Sequence, residues 1–400
     1  MNRSKRISLA LLVAAELSGM NLWFASAAIL PELQHEFGLS GGAQALLTSS
    51  VQAGFVAGAL IIAVTGIADR FDPRKVFCIS ALIAAVFNCG LLIAPPGTLA
   101  AVTSRFLTGA LLAGVYPVGM KIAVGWGVRD RGLIVGLLVG ALTMGKSVPF
   151  LIGFYGGANW RLVIIATSLL AAIGGLAALA SSLGPHHAKA QAFNPGAIAM
   201  AWREPRILRA YLGYFGHMWE LFAMWAWIAT AASASYAFTM ELSAAHDLGK
   251  LTAFLAIAAG SISCIVAGAW ADRIGKAEVA ILAMAASGTA ALLTAATFGG
   301  PVWLTFALVL IWGIAVIPDS AQFSALVADA SPPHLAGSLM TFQTAIGFGL
   351  TIFTVQMTPI AAGYLGWPIV LALLAIGPFI GIAAMLPLRR WKAVAADPRQ

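Results

Sequence analysis

Two glutamates stand near the middle of long apolar segments, where an ionised side chain is costly. Glu16 begins the pattern Glu-Leu-x-x-Met-x-x-Trp at residues 16–23, and Glu220 begins the same pattern 204 residues later, at 220–227. A charge at the centre of a membrane costs at least about 2.5 kcal/mol unless it is paired, hydrated or neutral, and such residues mark ion and proton pathways. We therefore treat both glutamates as candidates for proton coupling, with a structural ion pair as the alternative.

Two further titratable residues are candidates for the same role. His217 precedes Glu220 by three residues, which places both side chains on one face of a helix. Glu220 with His217 is therefore the first choice for the proton site, and Glu16 is the second. Asp319 follows Pro318 in a later apolar segment. The alternative for His217 is a hydrogen-bonded core residue, and the alternative for Asp319 is a helix cap or bend.

A lysine in the middle of an apolar segment, Lys146, predicts a site for an anionic group of a solute. The alternative is a structural ion pair with one of the glutamates. Arg105 lies in an earlier apolar segment, where the alternative to solute contact is to hold a helix bundle together through helix-end carbonyls. The full set of candidate solute contacts is Lys146, Asn21, Trp23, Trp227, Gln322 and Arg105.

The amino-acid composition is typical of an integral membrane protein. Hydrophobic residues make up 60% of its 400 residues and charged residues only 10%. Apolar runs of membrane-spanning length recur throughout, and in lipid such runs must be helical to satisfy their own backbone. We predict twelve spanning helices, at 7–30, 44–66, 76–94, 101–124, 132–154, 161–183, 208–232, 248–270, 278–298, 302–325, 336–358 and 363–386.

The positions of the basic residues predict an orientation. With twelve crossings, 18 of the 23 Lys and Arg residues fall on the side of the two termini, and the loops 31–43, 233–247 and 299–301 on the other side contain none. By the positive-inside rule, both termini are expected in the cytoplasm. The expected location is a bacterial inner membrane. The net charge of +8 then reflects topology, and we do not expect a nucleic-acid partner.

The chain also shows an internal duplication. Asp69-Arg70 follows one apolar segment and Asp272-Arg273 follows another, 203 residues later, close to the spacing of the two glutamates. The longest polar interruption lies between these copies. We predict an N-terminal six-helix bundle at 1–184, a cytoplasmic linker at 185–207 and a C-terminal six-helix bundle at 208–400.

Short motifs at these loops resemble a known family. The loops GIADRFDPRK at 66–75 and GAWADRIGK at 268–276 resemble the cytoplasmic loop signature of the major facilitator superfamily, and Arg105 with Gly109 and Gly114 resembles a second signature. The resemblance implies an all-α polytopic membrane protein with twelve transmembrane helices in two pseudo-symmetric six-helix bundles. It also implies a secondary transporter that needs no cofactor and works as a monomer.

The loop residues have a mechanical interpretation. An Asp directly after a helix can cap the next helix, while adjacent cations face the C-terminal carbonyls of a neighbouring helix. Contacts that form when the cytoplasmic ends close and break when they open would act as a latch. The alternative is topology and capping alone. The residues of this expected gating motif are Asp69, Arg70, Arg74, Asp272, Arg273 and Gly275.

One apparent nucleotide motif does not fit its surroundings. Residues 140–147, GALTMGKS, match the phosphate-binding pattern, which works only as a loop between a strand and a helix. Here they lie inside an apolar run, so we expect helix packing and no nucleotide site. The sequence contains no paired His and Asp at helical spacing and no nucleophile with a matched base, and we expect no enzymatic activity.

These features together predict a secondary active transporter of a small solute, coupled to protons and working by alternating access. Lys146 favours a small organic or inorganic anion as the solute. The alternative is a proton-antiport exporter of drugs or amphipathic metabolites, since acids outnumber Lys146 at membrane depth. A partial resemblance of the segment around Pro149 to the family's antiporter signature also favours export.

Overall fold

The computed structural model describes residues 3–127, 131–187, 196–332 and 335–395, and within these ranges the chain is helical and has no β-strand. The α-helices, with two 3-10 turns at Ala27–Ile29 and Gly90–Leu92, are α1 (Arg3–Met20), α2 (Leu30–Phe37), α3 (Gly41–Thr65), α4 (Ile67–Arg70), α5 (Pro73–Cys89), α6 (Leu99–Leu112), α7 (Tyr116–Val124), α8 (Arg131–Gly156), α9 (Trp160–Leu179), α10 (Ala197–Arg203), α11 (Pro205–Tyr236), α12 (Leu242–Ile274), α13 (Lys276–Ala296), α14 (Val302–Ala315), α15 (Ser320–Ala330), α16 (Ala336–Leu365), α17 (Trp367–Leu374) and α18 (Ile376–Ala395).

The long helices, alone or in consecutive pairs, correspond to the twelve predicted membrane crossings. Ten spans among the described residues are long and apolar enough to cross a bilayer, some of them built from two consecutive helices. The other two crossings, the first (α1) and the seventh (α11), contain Glu16 and Glu220. The predicted all-α fold of two six-helix bundles is confirmed.

Two predicted helices, 101–124 and 302–325, are interrupted. The fourth crossing consists of α6 and α7, and the tenth consists of α14 and α15. Proline has no N–H to continue the helical hydrogen bonds and disfavours a helical residue before it. Pro117 lies in the first turn of α7, and Pro318 lies in the gap before α15. The predicted spans are confirmed at Leu99–Val124 and Val302–Ala330, each with a break inside it, and the duplicated prolines explain both breaks.

The first crossing is also interrupted. The prediction of one continuous helix at 7–30 was wrong. The α1 helix ends at Met20, and residues 21–26 form turns before the 3-10 turn. Carbonyl groups released from helical bonding at membrane depth need another partner. Arg105 supplies it, because its Nη2 lies 2.8 Å from the carbonyl oxygen of Leu22 and 3.0 Å from that of Trp23.

Glycines bring the second crossing against the fourth, and the eighth against the tenth. A Cβ atom on Gly109 would lie 2.0 Å from the carbonyl oxygen of Val51, and one on Gly313 would lie 2.3 Å from that of Ala256. Small residues allow this close approach of helices in lipid, where dispersion replaces the hydrophobic effect as the main attraction. The two contacts are 204 residues apart, so the duplication preserves packing as well as sequence.

The two bundles meet along two helix pairs. The α8 helix packs against α12, and α3 packs against α16. Residues 140–147 lie inside α8, as expected, and Gly145 lets α8 touch α1: a Cβ there would lie 2.4 Å from the Leu17 carbonyl oxygen. By contrast, a Cβ on Gly136 would meet no described atom within 4 Å, so no close helix contact there requires a glycine.

The close approach at Gly109 leads to a stability prediction. Gly109→Ala is expected to lower the free energy of unfolding by about 1–3 kcal/mol, because the added methyl group meets main-chain atoms that cannot move aside cheaply. Thermal denaturation of the purified protein in detergent measures this. Gly349→Ala is the matched control, since a Cβ at that helical position meets nothing within 4 Å. Equal melting temperatures for the two variants would contradict the packing argument.

Candidate functional site

An aromatic cage surrounds the Lys146 ammonium group where the two bundles meet. Its Nζ lies 4.3 Å from the ring centroid of Trp23, 4.5 Å from that of Phe222 and 5.2 Å from that of Trp225. Trp23 comes from the first bundle, and Phe222 and Trp225 come from α11 in the second. Each contact is a cation–π attraction, and such contacts are strongest where water is excluded. Lys146 is only 2% exposed, so both bundles enclose its charge.

Glu16 lies on α1 in the first bundle, and α1 packs against α8, the helix that contains Lys146. Its Oε2 atom lies 2.4 Å from the point where a Cβ on Gly119 would stand, so its carboxylate faces α7. In the described part of the chain, neither carboxylate oxygen of Glu16 has a hydrogen-bond partner. Glu16 and Lys146 instead interact electrostatically across the contact of α1 with α8.

Other buried polar atoms also lack partners among the described residues, including the indole nitrogens of two tryptophans that face Lys146. They are Oδ1 of Asn21, Nε1 of Trp23, both side-chain amide atoms of Gln52 and Nε1 of Trp225. An unpaired polar atom away from water costs about 1–3 kcal/mol, so such a group of them is unusual in a finished core. Asn21, a predicted solute contact, is buried, and its Nδ2 donates to the Ser18 carbonyl at 2.5 Å.

Arg105 performs the structural role that was its alternative. Besides the two carbonyls of the interrupted first crossing, its Nη1 donates to Oδ1 of Asn88 at 2.5 Å. The Nδ2 of Asn88 in turn donates to Oγ1 of Thr167 and Oγ of Ser168 at 3.2 and 2.9 Å. This network ties the fourth, third and sixth crossings to the segment that holds Trp23.

Glu220 has a different environment from its counterpart. The indole Nε1 of Trp312 donates to one carboxylate oxygen at 2.7 Å, and the hydroxyl of Ser287 donates to the other at 2.9 Å. Both partners belong to the second bundle. The carboxylate of Glu220 is thus bound inside its bundle, whereas that of Glu16 accepts no hydrogen bond from the residues that the structure describes.

His217 is paired with Asp319 and not with Glu220. Its Nδ1 lies 2.9 Å from Oδ1 of Asp319, and both side chains are buried. Asp319 precedes α15 directly, but its side chain makes no capping hydrogen bond, which corrects the capping alternative. The pair instead joins α11 to the broken tenth crossing.

Two predicted solute contacts lie apart from the cage. The indole of Trp227 donates to the Val355 carbonyl at 3.0 Å and so ties α11 to α16. Gln322 is buried on α15, beside the break that contains Asp319. The duplicated tryptophans therefore differ: Trp23 contacts the buried lysine, and Trp227 makes a helix-to-helix hydrogen bond.

On the face opposite the basic loops, a buried ion pair joins the bundles. Lys250 on α12 pairs with Glu32 on α2, and its Nζ also lies 3.4 and 3.3 Å from the carbonyl oxygens of Gly153 and Gly157 at the end of α8. Lys250 is only 2% exposed. A lysine of the second bundle thus has its closest partners in the first, which holds this face closed.

The loops of the expected gating motif are placed differently from the prediction. Asp69 lies within α4 and pairs with Lys121, while Asp72 caps α5 by accepting from the Arg74 backbone N–H at 2.9 Å. Arg74 also donates to the Ser181 carbonyl beyond α9, as expected of a cation in this loop. Hydrogen bonds from Arg74 hold the pKa of Asp72 below its usual value. Arg70 is exposed at the end of α4.

The second loop is not a copy of this arrangement. Asp272 and Arg273 belong to the last turn of α12 and are exposed, so Asp272 does not cap the next helix. Gly275 ends α12 and precedes α13 with φ of 112°, a conformation that favours glycine. Lys276 pairs with Asp329 at 2.5 Å within the second bundle.

Sequence reasoning missed the partners of the buried charges. Asn88, Ser287 and Trp312 each bind a predicted residue, and Phe222 belongs to the cage. Asn88 had a visible signal, because an amide inside an apolar segment needs a partner. Phe222 had none, since one phenylalanine in an apolar run resembles any other.

The fold and these contacts define an integral membrane protein with two six-helix bundles and charged residues buried where they meet. The sequence profile of the Major Facilitator Superfamily matches residues 11–354. The chain belongs to this superfamily, and it is a transporter and not an enzyme. Among the described residues, no group of three or more His, Cys, Asp or Glu side chains is placed to hold a metal ion.

Solved transporters share the fold at low sequence identity. A crystal structure of the nucleoside transporter NupG aligns with a TM-score of 0.71 at 15% identity, covering 95% of this chain and 99% of that one. The xylose transporter XylE from E. coli, in a partially occluded inward-open conformation, aligns with a TM-score of 0.73 at 12% identity, covering 98% and 99%. The proton:xylose symporter XylE bound to 6-bromo-6-deoxy-D-glucose gives 0.71 at 13% identity, covering 98% and 96%. No match was found among curated protein sequences.

The Lys250 ion pair predicts a shift in conformation. Lys250→Met is expected to lengthen the mean distance between spin labels at His35 and Thr239, exposed positions on the same face in different bundles. Loss of one partner leaves Glu32 without its counter-charge, and breaking a buried pair costs about 3–5 kcal/mol. Electron–electron double resonance measures the distance distribution.

Lys276→Met is the control for this measurement, because it removes an ion pair that stays within the second bundle. Its distance distribution should match that of the unmutated protein. If Lys250→Met also leaves the distribution unchanged, then other contacts, such as Ser49 with Gln356 at 2.8 Å, keep this face closed without it.

Proposed function

We propose that this protein is a proton-coupled symporter of a small solute with an anionic group, which binds between the bundles at Lys146. One observation carries the proposal: Lys146 and Glu16 are both buried and interact electrostatically, and neither the carboxylate of Glu16 nor the indole N–H groups of Trp23 and Trp225 have a hydrogen-bond partner in the described part of the chain. Transporter sites lie near the middle of the membrane where the repeats meet, often at interrupted helices. The cage stands beside such an interruption, at residues 21–26.

The pairing of these charges supplies a coupling mechanism. When Glu16 is ionised, it is the counter-charge of Lys146 and disfavours a second anion. When Glu16 is protonated, Lys146 lacks a counter-charge, and binding of an anionic solute restores one. Proton and solute therefore favour each other's binding, which is the thermodynamic requirement for symport.

The contacts favour Glu16 over Glu220 as the proton site. Glu220 accepts hydrogen bonds from Trp312 and Ser287 inside the second bundle, so it serves helix packing. His217 and Asp319 are paired with each other in the same bundle, while Nε2 of His217 has no hydrogen-bond partner among the described residues, and they form a second candidate proton site. Of these acids, Glu16 is the one that interacts electrostatically with Lys146.

Alternating access gives each remaining element a role in this proposal. The bundles at 1–184 and 208–400 rock about their interface as single bodies, joined by the linker at 185–207. The pair of Lys250 with Glu32 holds one face closed, while loops containing Asp69 and Asp272 regulate the other.

We place the protein as a monomer in a bacterial cytoplasmic membrane, with both termini in the cytoplasm. The asymmetry of its basic residues supports this orientation. The described contacts on the basic face agree with it, since Ser182 contacts Ser8 and Arg74 contacts Ser181 on the side of the N-terminus.

A second candidate function has an observation in its favour. The cage already accommodates an ammonium group, so an organic cation could displace Lys146 and interact with Glu16. The protein would then be a proton-antiport exporter of amphipathic cations. The direction of proton movement separates the two functions, because symport acidifies the compartment that gains solute and antiport does the opposite.

Glu16→Gln tests the coupling. In proteoliposomes with an internal pH dye, an inward gradient of benzenesulfonate or methanesulfonate should acidify the interior for the unmutated protein, and these anions do not carry protons through lipid as free acids. Glu16→Gln should abolish the acidification, because its side chain cannot release a proton. Glu220→Gln should retain it, since an amide can keep both hydrogen bonds. The opposite ranking would assign coupling to the second bundle.

Lys146→Met tests the recognition of charge. It should weaken anion binding by about 2–5 kcal/mol, the usual cost of removing one partner of a desolvated charge pair. Folding should be preserved, because a methionine thioether also packs well against aromatic rings. Isothermal titration with each sulfonate measures the loss, and Lys276→Met, far from the cage, is the control. Undiminished anion binding in Lys146→Met, or proton export driven by tetraphenylphosphonium, would favour the antiport function.

A further inference from the structure

We infer that the solute of this site is a monoanion carried on an aromatic ring, such as an arene carboxylate. The inference rests on the proposed function, since it takes Lys146 as the residue that binds the anionic group. Its own basis is the composition of the walls around Lys146 and the kind of polar atom that they leave unpaired.

The walls are aromatic well beyond the three rings that contact Lys146. The ring of Trp23 lies 4.9 Å from that of Phe55, the ring of Phe55 lies 5.0 Å from that of Phe348, and Phe348 lies 5.2 Å from Phe222. These rings come from α3, α11, α16 and the interrupted first crossing, so both bundles contribute. Aromatic rings at such separations attract each other beyond the gain from burial alone. Such a wall suits a solute with a ring of its own.

The unpaired polar atoms include three donors besides the ammonium group of Lys146, together with acceptor oxygens of Gln52, Asn21 and Glu16. Nε1 of Trp23, Nε1 of Trp225 and the Nε2 of Gln52 have no partner in the described part of the chain, and Lys146 adds its ammonium group. A carboxylate accepts several hydrogen bonds and would satisfy donors of this kind. A sugar or a strongly hydrated inorganic ion would lose its water against carbon without equal replacement.

The observed cage is closed on Lys146. The centroids of Trp23 and Phe222 are 5.6 Å apart, and Nζ of Lys146 lies within 4.5 Å of both. Stacked rings need centroid separations of about 4.5–7 Å for each pair, so a third ring has no room between them. Because Trp23 and Phe222 belong to different bundles, separation of the bundles widens this gap.

An aromatic anion replaces both interactions that Lys146 gives up when the gap widens. Its carboxylate draws the ammonium group out of the cage into an ion pair, and its ring occupies the space between Trp23 and Phe222. An aliphatic anion supplies only the first replacement, and a neutral aromatic molecule only the second.

Binding of four small probes to the purified protein, measured by isothermal titration, tests the inference. Benzenesulfonate and benzoate should bind about tenfold more tightly than methanesulfonate and acetate. Phe222→Leu keeps an apolar side chain but removes the ring, so it should reduce that preference by most of the tenfold difference. Phe348→Leu removes a second ring of the wall and serves if Phe222→Leu does not fold. Phe298→Leu is the matched control, because its ring pairs with Phe238 in a loop outside the cage.

The outcomes separate this inference from the function on which it rests. Equal binding of aromatic and aliphatic anions, lost in Lys146→Met, would leave the anion symporter in place and overturn the aromatic class. Binding of benzyltrimethylammonium without binding of any anion would overturn both. An aromatic preference that survives Phe222→Leu and Phe348→Leu would also overturn the inference, as would binding of none of these probes.

Discussion

The structure depends on how charges are accommodated in the low dielectric between two helical bundles. Lys146 keeps its ammonium group against three aromatic faces at the interface, with Glu16 as its electrostatic partner on the neighbouring helix. Arg105 stabilises the segment that supplies one of those faces, through the carbonyls of Leu22 and Trp23. A cation held by rings is less firmly bound than one in a hydrogen-bonded ion pair, so it remains available to another partner.

Duplication produced two halves with the same packing and different chemistry. The glycine contacts at Gly109 and Gly313 are equivalent, and both bundles have a broken helix at a proline. The glutamates, however, have diverged. Glu220 is fully provided with donors in its own bundle, whereas Glu16 faces Gly119, which has no side chain to donate. The shared scaffold thus carries one acid with two hydrogen-bond donors and one that has none among the described residues.

The two membrane faces also differ in the kind of contact that they make. On one face, the Lys250 cation crosses from the second bundle to Glu32 and two carbonyls of the first. On the basic face, the pairs of Asp69 with Lys121 and of Lys276 with Asp329 each remain inside one bundle. Contacts between bundles resist their separation and contacts within a bundle do not, so the described structure is held together on the first of these faces.

The sequence by itself determined the solvent, the helical class and the duplication, because apolar length and charge placement are properties of the chain before it folds. It also located Glu16, Lys146 and Arg105 as costly residues in lipid, since cost depends on residue type and depth alone. Tertiary structure decided which residues these charged side chains contact. Glu220 accepts a hydrogen bond from Trp312, 92 residues away, and Lys146 contacts the ring of Phe222 across the bundle interface. Tertiary structure also decided that the helix of the first crossing ends at Met20, where the sequence has no proline. The carbonyl groups released there accept hydrogen bonds from Arg105, which lies on another helix. Partners of this kind are set by helix packing, which brings distant residues together for reasons that local pattern does not contain.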